Sequence, residues 1–177
     1  MAVKENIMTK LIILGSGIAA VQAAQAARAQ DPDIQIDLYS SDTELPYYRL
    51  RLFELLVNPQ QTAMLSIHPA SWYDERQIRL HLGVTATAVN TDAQTVILST
   101  GHEARYDELI VATGSRSMVP PIPGNALEGV CTLWTMQDAL DIESRLREVT
   151  RAVTAGYPGP VPGAEEYVAD ARQGAGG

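Results

Sequence analysis

Lys10-Leu11-Ile12-Ile13-Leu14-Gly15-Ser16-Gly17-Ile18-Ala19-Ala20 is the stretch on which the fold turns. Its first part, Leu11 to Leu14, is a continuous apolar run that stops at a glycine, and such a run reads as a strand covered on both faces. Its second part opens an alanine-rich segment that continues to Gln30 without a breaker. Alanine is the best helix former, so the spacing predicts a helix directly after the glycine turn. Asp31-Pro32-Asp33 ends it, because proline disfavours helical geometry in the residue before it. Ile34, Ile36 and Leu38 then alternate with Gln35, Asp37 and Tyr39, the period of a second strand. Strand, turn, helix and strand within about thirty residues make a βαβ unit.

In that setting Gly15, Gly17 and Ala20 match the pattern G-x-G-x-x-G/A, with Ser16, Ile18 and Ala19 between them. Gly15 permits the tight turn, Gly17 lets the backbone approach a pyrophosphate, and the small Ala20 lets helix and strand pack closely. The helix N-terminus supplies unpaired N–H groups and the positive end of its dipole to phosphates. A glycine turn of any α/β protein is the competing explanation, and the flanking strand and helix favour dinucleotide binding over it. A ribose-binding acid is expected at the end of the second strand. Asp42 is the nearest fit, with Asp37 inside the strand and Glu44 beyond it; an aspartate that merely caps a loop fits Asp42 equally well. Arg49, amid Pro46, Tyr47 and Tyr48, suits a phosphate partner or a stack beside an aromatic ring system, or is an ordinary surface arginine.

Beyond that loop, Leu50, Leu52, Phe53, Leu55 and Leu56 predict a short helix. Another starts near Pro69 and carries Trp72 and Tyr73 ahead of Arg79-Leu80-His81-Leu82. From Gly83 the period becomes two, in Val84, Ala86 and Ala88, then in Val96 and Leu98 across the turn Asn90-Thr91-Asp92-Ala93. That pattern predicts an antiparallel hairpin or meander inserted into the α/β framework. Leu109-Ile110-Val111-Ala112 is a further buried strand, stopped by Thr113-Gly114. Pro120-Pro121-Ile122-Pro123-Gly124 cannot be regular structure. A last helix is expected from Thr135 to Thr150, with Ala139, Ile142 and Leu146 on one face. Residues 155–177 hold 14 Gly, Ala or Pro among 23 positions and show no apolar periodicity, so residues 154–177 are expected to be a disordered tail. Met8 could be the natural start, which would make residues 1–8 an extension.

The chain has 177 residues, with 13 Lys+Arg against 21 Asp+Glu and a formal net charge of −8. An acidic balance without a basic run argues against nucleic acid as a partner. Hydrophobic residues make up 46% and charged residues 19%, the balance of a globular protein. The apolar run at Leu11–Leu14 is too short for a membrane span or a signal segment, and a cytoplasmic protein is expected. Cys131 is the only cysteine, which excludes an intrachain disulfide, a dithiol redox motif and a four-cysteine metal site. Between Val130 and Thr132-Leu133-Trp134 it is expected to be a buried apolar thiol. His68, His81 and His102 lie in unlike contexts and are expected to be structural or exposed.

Taken in order, Lys10 to Ala20, Leu45-Pro46-Tyr47-Tyr48-Arg49, Ser71-Trp72-Tyr73-Asp74-Glu75-Arg76, Tyr106 to Arg116 and Pro120 to Gly124 resemble FAD-dependent pyridine nucleotide-disulfide oxidoreductase-like proteins. The likeness is to the branch of rubredoxin and ferredoxin reductases and the flavin part of nitrite reductases, over residues 9–153. It implies a partial, Rossmann-like FAD-binding domain. The resemblance further implies that the turn at Gly15, Gly17 and Ala20 binds the FAD pyrophosphate and that Ala112-Thr113-Gly114 closes the site, with Ser115 and Arg116 nearby. By the same resemblance the backbone near Ala86 borders the adenine, and Arg49 matches the basic residue of a P-Y-x-R-P segment. Leu50 stands where that segment has proline, and Phe53 where a small serine often follows.

The resemblance implies NAD(P)H as co-substrate and a rubredoxin-like, ferredoxin-like or small-molecule electron acceptor. A second, NAD(P)H-binding domain is expected near Arg151-Ala152-Val153, where Thr154 to Pro160 instead brings prolines that cannot make its first strand. A truncated gene product is the expectation that follows, with a non-catalytic flavin-binding module or remnant as the alternative.

Overall fold

The computed structural model describes residues 8–119 and 121–154. The extension at 1–7 and the tail at 155–177 lie outside them. The chain divides into two compact units, Met1–Tyr48 with Ser66–Ser115, and Arg49–Leu65 with Arg116–Gly177.

The first unit is built on a parallel sheet. β1 (Lys10–Leu14) runs into the glycine turn and α1 (Ile18–Gln30), and β2 (Gln35–Ser40) follows. α2 (Ala70–Glu75) leads to β3 (Ile78–Leu82). An antiparallel excursion comes next, β4 (Ala86–Asn90), β5 (Thr95–Leu98) and β6 (Glu103–Arg105), before β7 (Glu108–Val111). The four-stranded sheet has the order β3-β2-β1-β7, and the three-stranded sheet the order β4-β5-β6. All pairs of the larger sheet are parallel, with Leu14 opposite both Tyr39 and Val111. The chain therefore steps from β1 to β2 and β3 on one side and returns to the other side of β1 for β7. Such a reversal leaves a crevice at the carboxyl ends of the strands, where ligands of doubly wound sheets bind.

The strand pattern explains the layers. Leu11, Ile13, Ile36 and Leu38 point to one face and pack with Ala20, Val21 and Ala24 of α1 and Tyr73 of α2. Ile12, Leu14 and Tyr39 point to the other and pack with Val96 and Leu98 of β5, Ala104 of β6 and Tyr106. Both faces are thus covered, as a near-continuous apolar run requires. Each fully buried Ile or Val such as Ile12, Ile13 and Val21 contributes about 1.5–3 kcal/mol. The β4–β5 turn is held by Asn90, whose Oδ1 accepts from the N–H groups of Asp92 and Ala93. β3 holds Arg79-Leu80-His81-Leu82, which the apolar pattern alone leaves unassigned.

The second unit holds two 3-10 helices, Arg49–Leu56 and Pro59–Leu65, and α3 (Met136–Leu146). The short helix expected after Arg49 is thus a tighter 3-10 helix, which places the buried Leu52 and Leu55 above one another at its three-residue repeat. Thr135 caps α3: its hydroxyl accepts from Asp138 N–H, and the Asp138 carboxylate accepts from Thr135 N–H in return. α3 is shorter than the expected 135–150, ending at Leu146 before the β-branched Val149 and Thr150. Cys131 is exposed, which corrects the expectation of a buried thiol. It sits in an irregular stretch after Gly129, where φ is +87° and Val130 is also exposed, so its apolar neighbours do not form a strand.

Candidate functional site

Three chain segments meet at the carboxyl edge of the parallel sheet: the turn after β1, the exit of β2 and the exit of β7. Gly15 N–H donates to Tyr39 C=O at 2.8 Å, and Ala112 N–H donates to Leu14 C=O at 2.8 Å, so the turn is hydrogen-bonded to both neighbours. Gly15 has φ of +117°, and a Cβ there would overlap the Ala112 carbonyl oxygen and lie 2.6 Å from its carbon and 3.1 Å from Thr113 N. The protein's own backbone therefore demands glycine at this position. Gly17 differs. Its φ of −74° is ordinary and a Cβ would meet nothing within 4 Å, so no packing in the described residues requires glycine. Gly17 is also the N-cap of α1 and supplies no side chain to cap it, and no acid stands in the first turn. The helix thus presents its N-terminus uncapped beside open space, with Ile18 and Ala19 exposed and Ala20 buried against β1. Both features suit a phosphate-bearing group approaching the backbone.

Ser16 is buried, and its hydroxyl lies 2.7 Å from that of Ser40, the last residue of β2. Ser40 Oγ also accepts from Asp42 N–H at 3.1 Å. Asp42 is half-buried, and its Oδ2 accepts from the Tyr47 hydroxyl at 3.2 Å. The structure thus brings Gly15, Ser16, Gly17, Asp42, Ala112 and Thr113 to one edge. Gly114 follows in a left-handed conformation with φ of +69°. Sequence reasoning missed the roles of Ser40 and Tyr47. A hydroxyl ending β2 and the tyrosine of the Pro46-Tyr47-Tyr48 segment were the available signals.

The other two candidate acids are placed differently. Asp37 is 3% exposed and sits among basic side chains. Arg79 Nε lies 3.0 Å from it, His81 Nε2 2.7 Å and Lys10 Nζ 3.8 Å, and Gln35 Nε2 donates to it at 2.9 Å. Burial opposes its charge, but the hydrogen bonds from His81 and Gln35 and the Arg79 guanidinium outweigh that and hold its carboxyl below the usual range. It is thereby engaged as a structural anion. Glu44 is exposed. Ala86 is half-buried at a register shift in β4, opposite Leu98.

Arg49 and Arg116 belong to the second unit. Arg49 donates to Trp134 C=O at 2.9 Å and its guanidinium lies 5.6 Å from the centre of that indole, so it is tied to the approach of α3. Arg116 is exposed. His68 stacks on Trp72 at 3.9 Å, and His81 stacks on Tyr39 at 4.3 Å. His102 lies in an exposed turn. No helix among the described residues is long and apolar enough to cross a membrane.

The family described as pyridine nucleotide-disulphide oxidoreductase matches residues 9–159. The chain is 34% identical over 148 residues to the ferredoxin reductase component of chlorobenzene dioxygenase from Cupriavidus sp. strain PS12, covering 84% of this chain and 36% of that protein. It is 31% identical to NADH-rubredoxin oxidoreductase of Clostridium acetobutylicum, covering 84% of this chain and 38% of that protein. The crystal structure of the Clostridium NADH:rubredoxin oxidoreductase superposes with a TM-score of 0.78 at 28% identity, covering 96% of this chain and 43% of that one. The covalent putidaredoxin reductase–putidaredoxin complex superposes with a TM-score of 0.68 at 32% identity, covering 78% and 34%. The chain thus spans little more than a third of the length of the relatives it matches.

Proposed function

The chain belongs to the pyridine nucleotide-disulphide oxidoreductase family, and on that premise we propose that it holds FAD as part of an NAD(P)H-dependent oxidoreductase. The observation that carries the proposal is the asymmetry of the glycine turn. Gly15 is locked beneath the Ala112 carbonyl, while Gly17 opens the uncapped end of α1 to the space beside it. A pyrophosphate at that end would be met by the first amides of α1, around Ile18, Ala19 and Ala20. Asp42 would accept from the ribose hydroxyls, as acids just beyond the second strand of such units do. Ala112, Thr113 and Gly114 would close the turn from the β7 side. We further assign Ala86 to the adenine border and Arg49 and Arg116 to the flavin side, on the family resemblance of their segments.

FAD, when bound, supplies the hydride- and electron-accepting chemistry, which side chains alone do not have. The chain's part is to bind and orient it. The whole activity we infer is oxidation of NAD(P)H with delivery of electrons to a rubredoxin- or ferredoxin-like protein or a small acceptor. Relatives named as rubredoxin and ferredoxin reductases support this. Because the chain spans little more than a third of those relatives, residues 9–153 are proposed as the FAD-holding part alone. An exposed free thiol at Cys131 suits a reducing cytoplasmic setting.

The test is the visible spectrum of the purified chain after addition of FAD and removal of free ligand by gel filtration. Flavin absorbance that travels with the protein is the expected result. A colourless protein fraction would overturn the proposal.

A further inference from the structure

Within the first unit, Asp42, in the loop segment just after β2, is held through its backbone and its carboxylate. Its N–H donates to Ser40 Oγ at 3.1 Å, its C=O accepts from Gly83 N–H at 2.9 Å, and its carboxylate accepts from the Tyr47 hydroxyl at 3.2 Å. Each holding group is itself fixed. Ser40 Oγ touches Ser16 Oγ of the glycine turn at 2.7 Å, and Ser40 C=O accepts from Val84 N–H at 2.8 Å. Tyr47 is 4% exposed. Its backbone bridges to Ser66, and Ile67 N–H donates to the adjacent Pro46 C=O at 2.8 Å. An aspartate that only caps a loop needs no buried phenol aimed at its carboxylate. A carboxylate that must meet two ribose hydroxyls gains from having its plane set beforehand, because less freedom is then lost on binding.

We propose that Tyr47 is a positioning residue that orients the Asp42 carboxylate toward ribose, while the Ser16–Ser40 pair sets the spacing of that carboxylate from the glycine turn. This rests on the reading of Asp42 as the ribose acid given above. The hydroxyl of Tyr47 touches Asp42 and not the nucleotide, so its removal changes discrimination for the ribose rather than binding in general. The adenosine half of FAD carries the relevant hydroxyls, and ADP and 2′-deoxyADP differ there by a single one.

Calorimetric titration of the full chain with these two nucleotides tests the proposal, with variants Asp42→Ala, Tyr47→Phe and their combination. The wild type is expected to prefer ADP by about 10-fold, the loss typical of one hydrogen bond to a charged group. D42A abolishes the preference. Y47F reduces it to about 3-fold or less, on the same scale for a partly misaligned hydrogen bond, and weakens 2′-deoxyADP, which keeps one ribose hydroxyl, less than it weakens ADP. The double variant behaves as D42A, because the hydroxyl that Y47F removes acts through that carboxylate. Retention of the full preference by Y47F, equal weakening toward both nucleotides, or additive effects in the double variant would overturn the positioning role while leaving Asp42 as the ribose acid. Persistence of the preference in D42A would instead overturn the reading of Asp42 and the proposal with it. Should Y47F not fold, Ser40→Ala releases the Asp42 N–H from the other side. It is expected to lower the same ratio, and an undiminished ratio there counts equally against the proposal.

Discussion

Asp37 and Asp42 belong to one strand and the loop that leaves it, and their surroundings differ in kind. Asp37 lies in mid-sheet, 3% exposed, with Arg79 and Lys10 as cations and His81 and Gln35 as further donors. Asp42 lies at the carboxyl edge, half-buried, held by a phenol, a serine hydroxyl and a backbone amide. The two glycines of the turn divide the same way. Gly15 is explained by the protein around it and Gly17 is not. Residues that the fold itself requires are thus set apart from residues whose chemistry points outward, and substitution separates the two groups by their effect on stability.

The largest effect is expected at Gly15. Ala there meets the Ala112 carbonyl and a positive φ at once, and about 2–4 kcal/mol of stability should be lost. A urea midpoint within error of the wild type would show that the Ala112 contact does not dictate glycine. Asp37→Asn comes next. It leaves the Arg79 and Lys10 cations and the His81 ring facing a neutral amide, and since Arg79 is 54% exposed and His81 35%, solvent limits the loss to about 1–3 kcal/mol. The pH profile has a defined sign. Asp37 is held below its ordinary value of 3.8, so its contribution is present above that value and fades as pH falls through the lower folded one. Acid unfolding curves should therefore be steeper below about pH 4 in the wild type than in D37N, and parallel curves would count against the cluster.

Tyr73→Phe should change stability at neutral pH by less than about 1 kcal/mol. The Tyr73 hydroxyl is buried without a hydrogen-bond partner among the described residues, so its removal forfeits none. Burial, with the Tyr48 phenol beside it, pushes Tyr73 from 10.0 up to about 12. A raised value means that stability is complete below pH 10 and declines as pH climbs toward 12. Thermal melts at rising pH should show that decline blunted in Y73F, and a variant that melts early at pH 7 would mean the phenol is partnered after all. The smallest effect on stability falls to Gly17→Ala, within about 0.5 kcal/mol. Its consequence is expected in flavin retention instead, since the new methyl occupies the open side of the turn. A G17A chain that keeps FAD as well as the wild type would erase the distinction between the glycines.

Much of this frame was legible in residue order. The Leu11–Leu14 run, the glycines and the alanine segment specify β1, the turn and α1 through local propensity alone, and period two from Val84 reveals the smaller sheet. β3 was not legible, because Arg79 and His81 look like surface residues until Asp37 of β2 is placed opposite them. Asp42 was readable as an acid at the expected spacing, but its hold by Tyr47 depends on the bridge to Ser66, a tertiary pairing with no local signature. Cys131 misled because its apolar neighbours read as a buried run, whereas Gly129 turns the chain and leaves that stretch irregular.

The dependence of Gly15 on Ala112 also has a consequence for how the protein is made. β1 emerges well ahead of β7 in synthesis, yet its turn acquires its final geometry only when β7 docks beside it. The Lys10 amide and the Asp107 carboxylate, which join at the start of that pairing, are separated by 97 positions. At a translation rate of about 5–20 residues per second, the nascent turn waits roughly 5–20 seconds for its partner. During that interval β1 can pair with β2, but the Ala112 carbonyl that fits over Gly15 does not yet exist. On the proposed function, nucleotide capture would therefore be a late event in the birth of this chain, and a product stopped ahead of Ala112 would have the glycine motif in its sequence without the backbone that completes its turn.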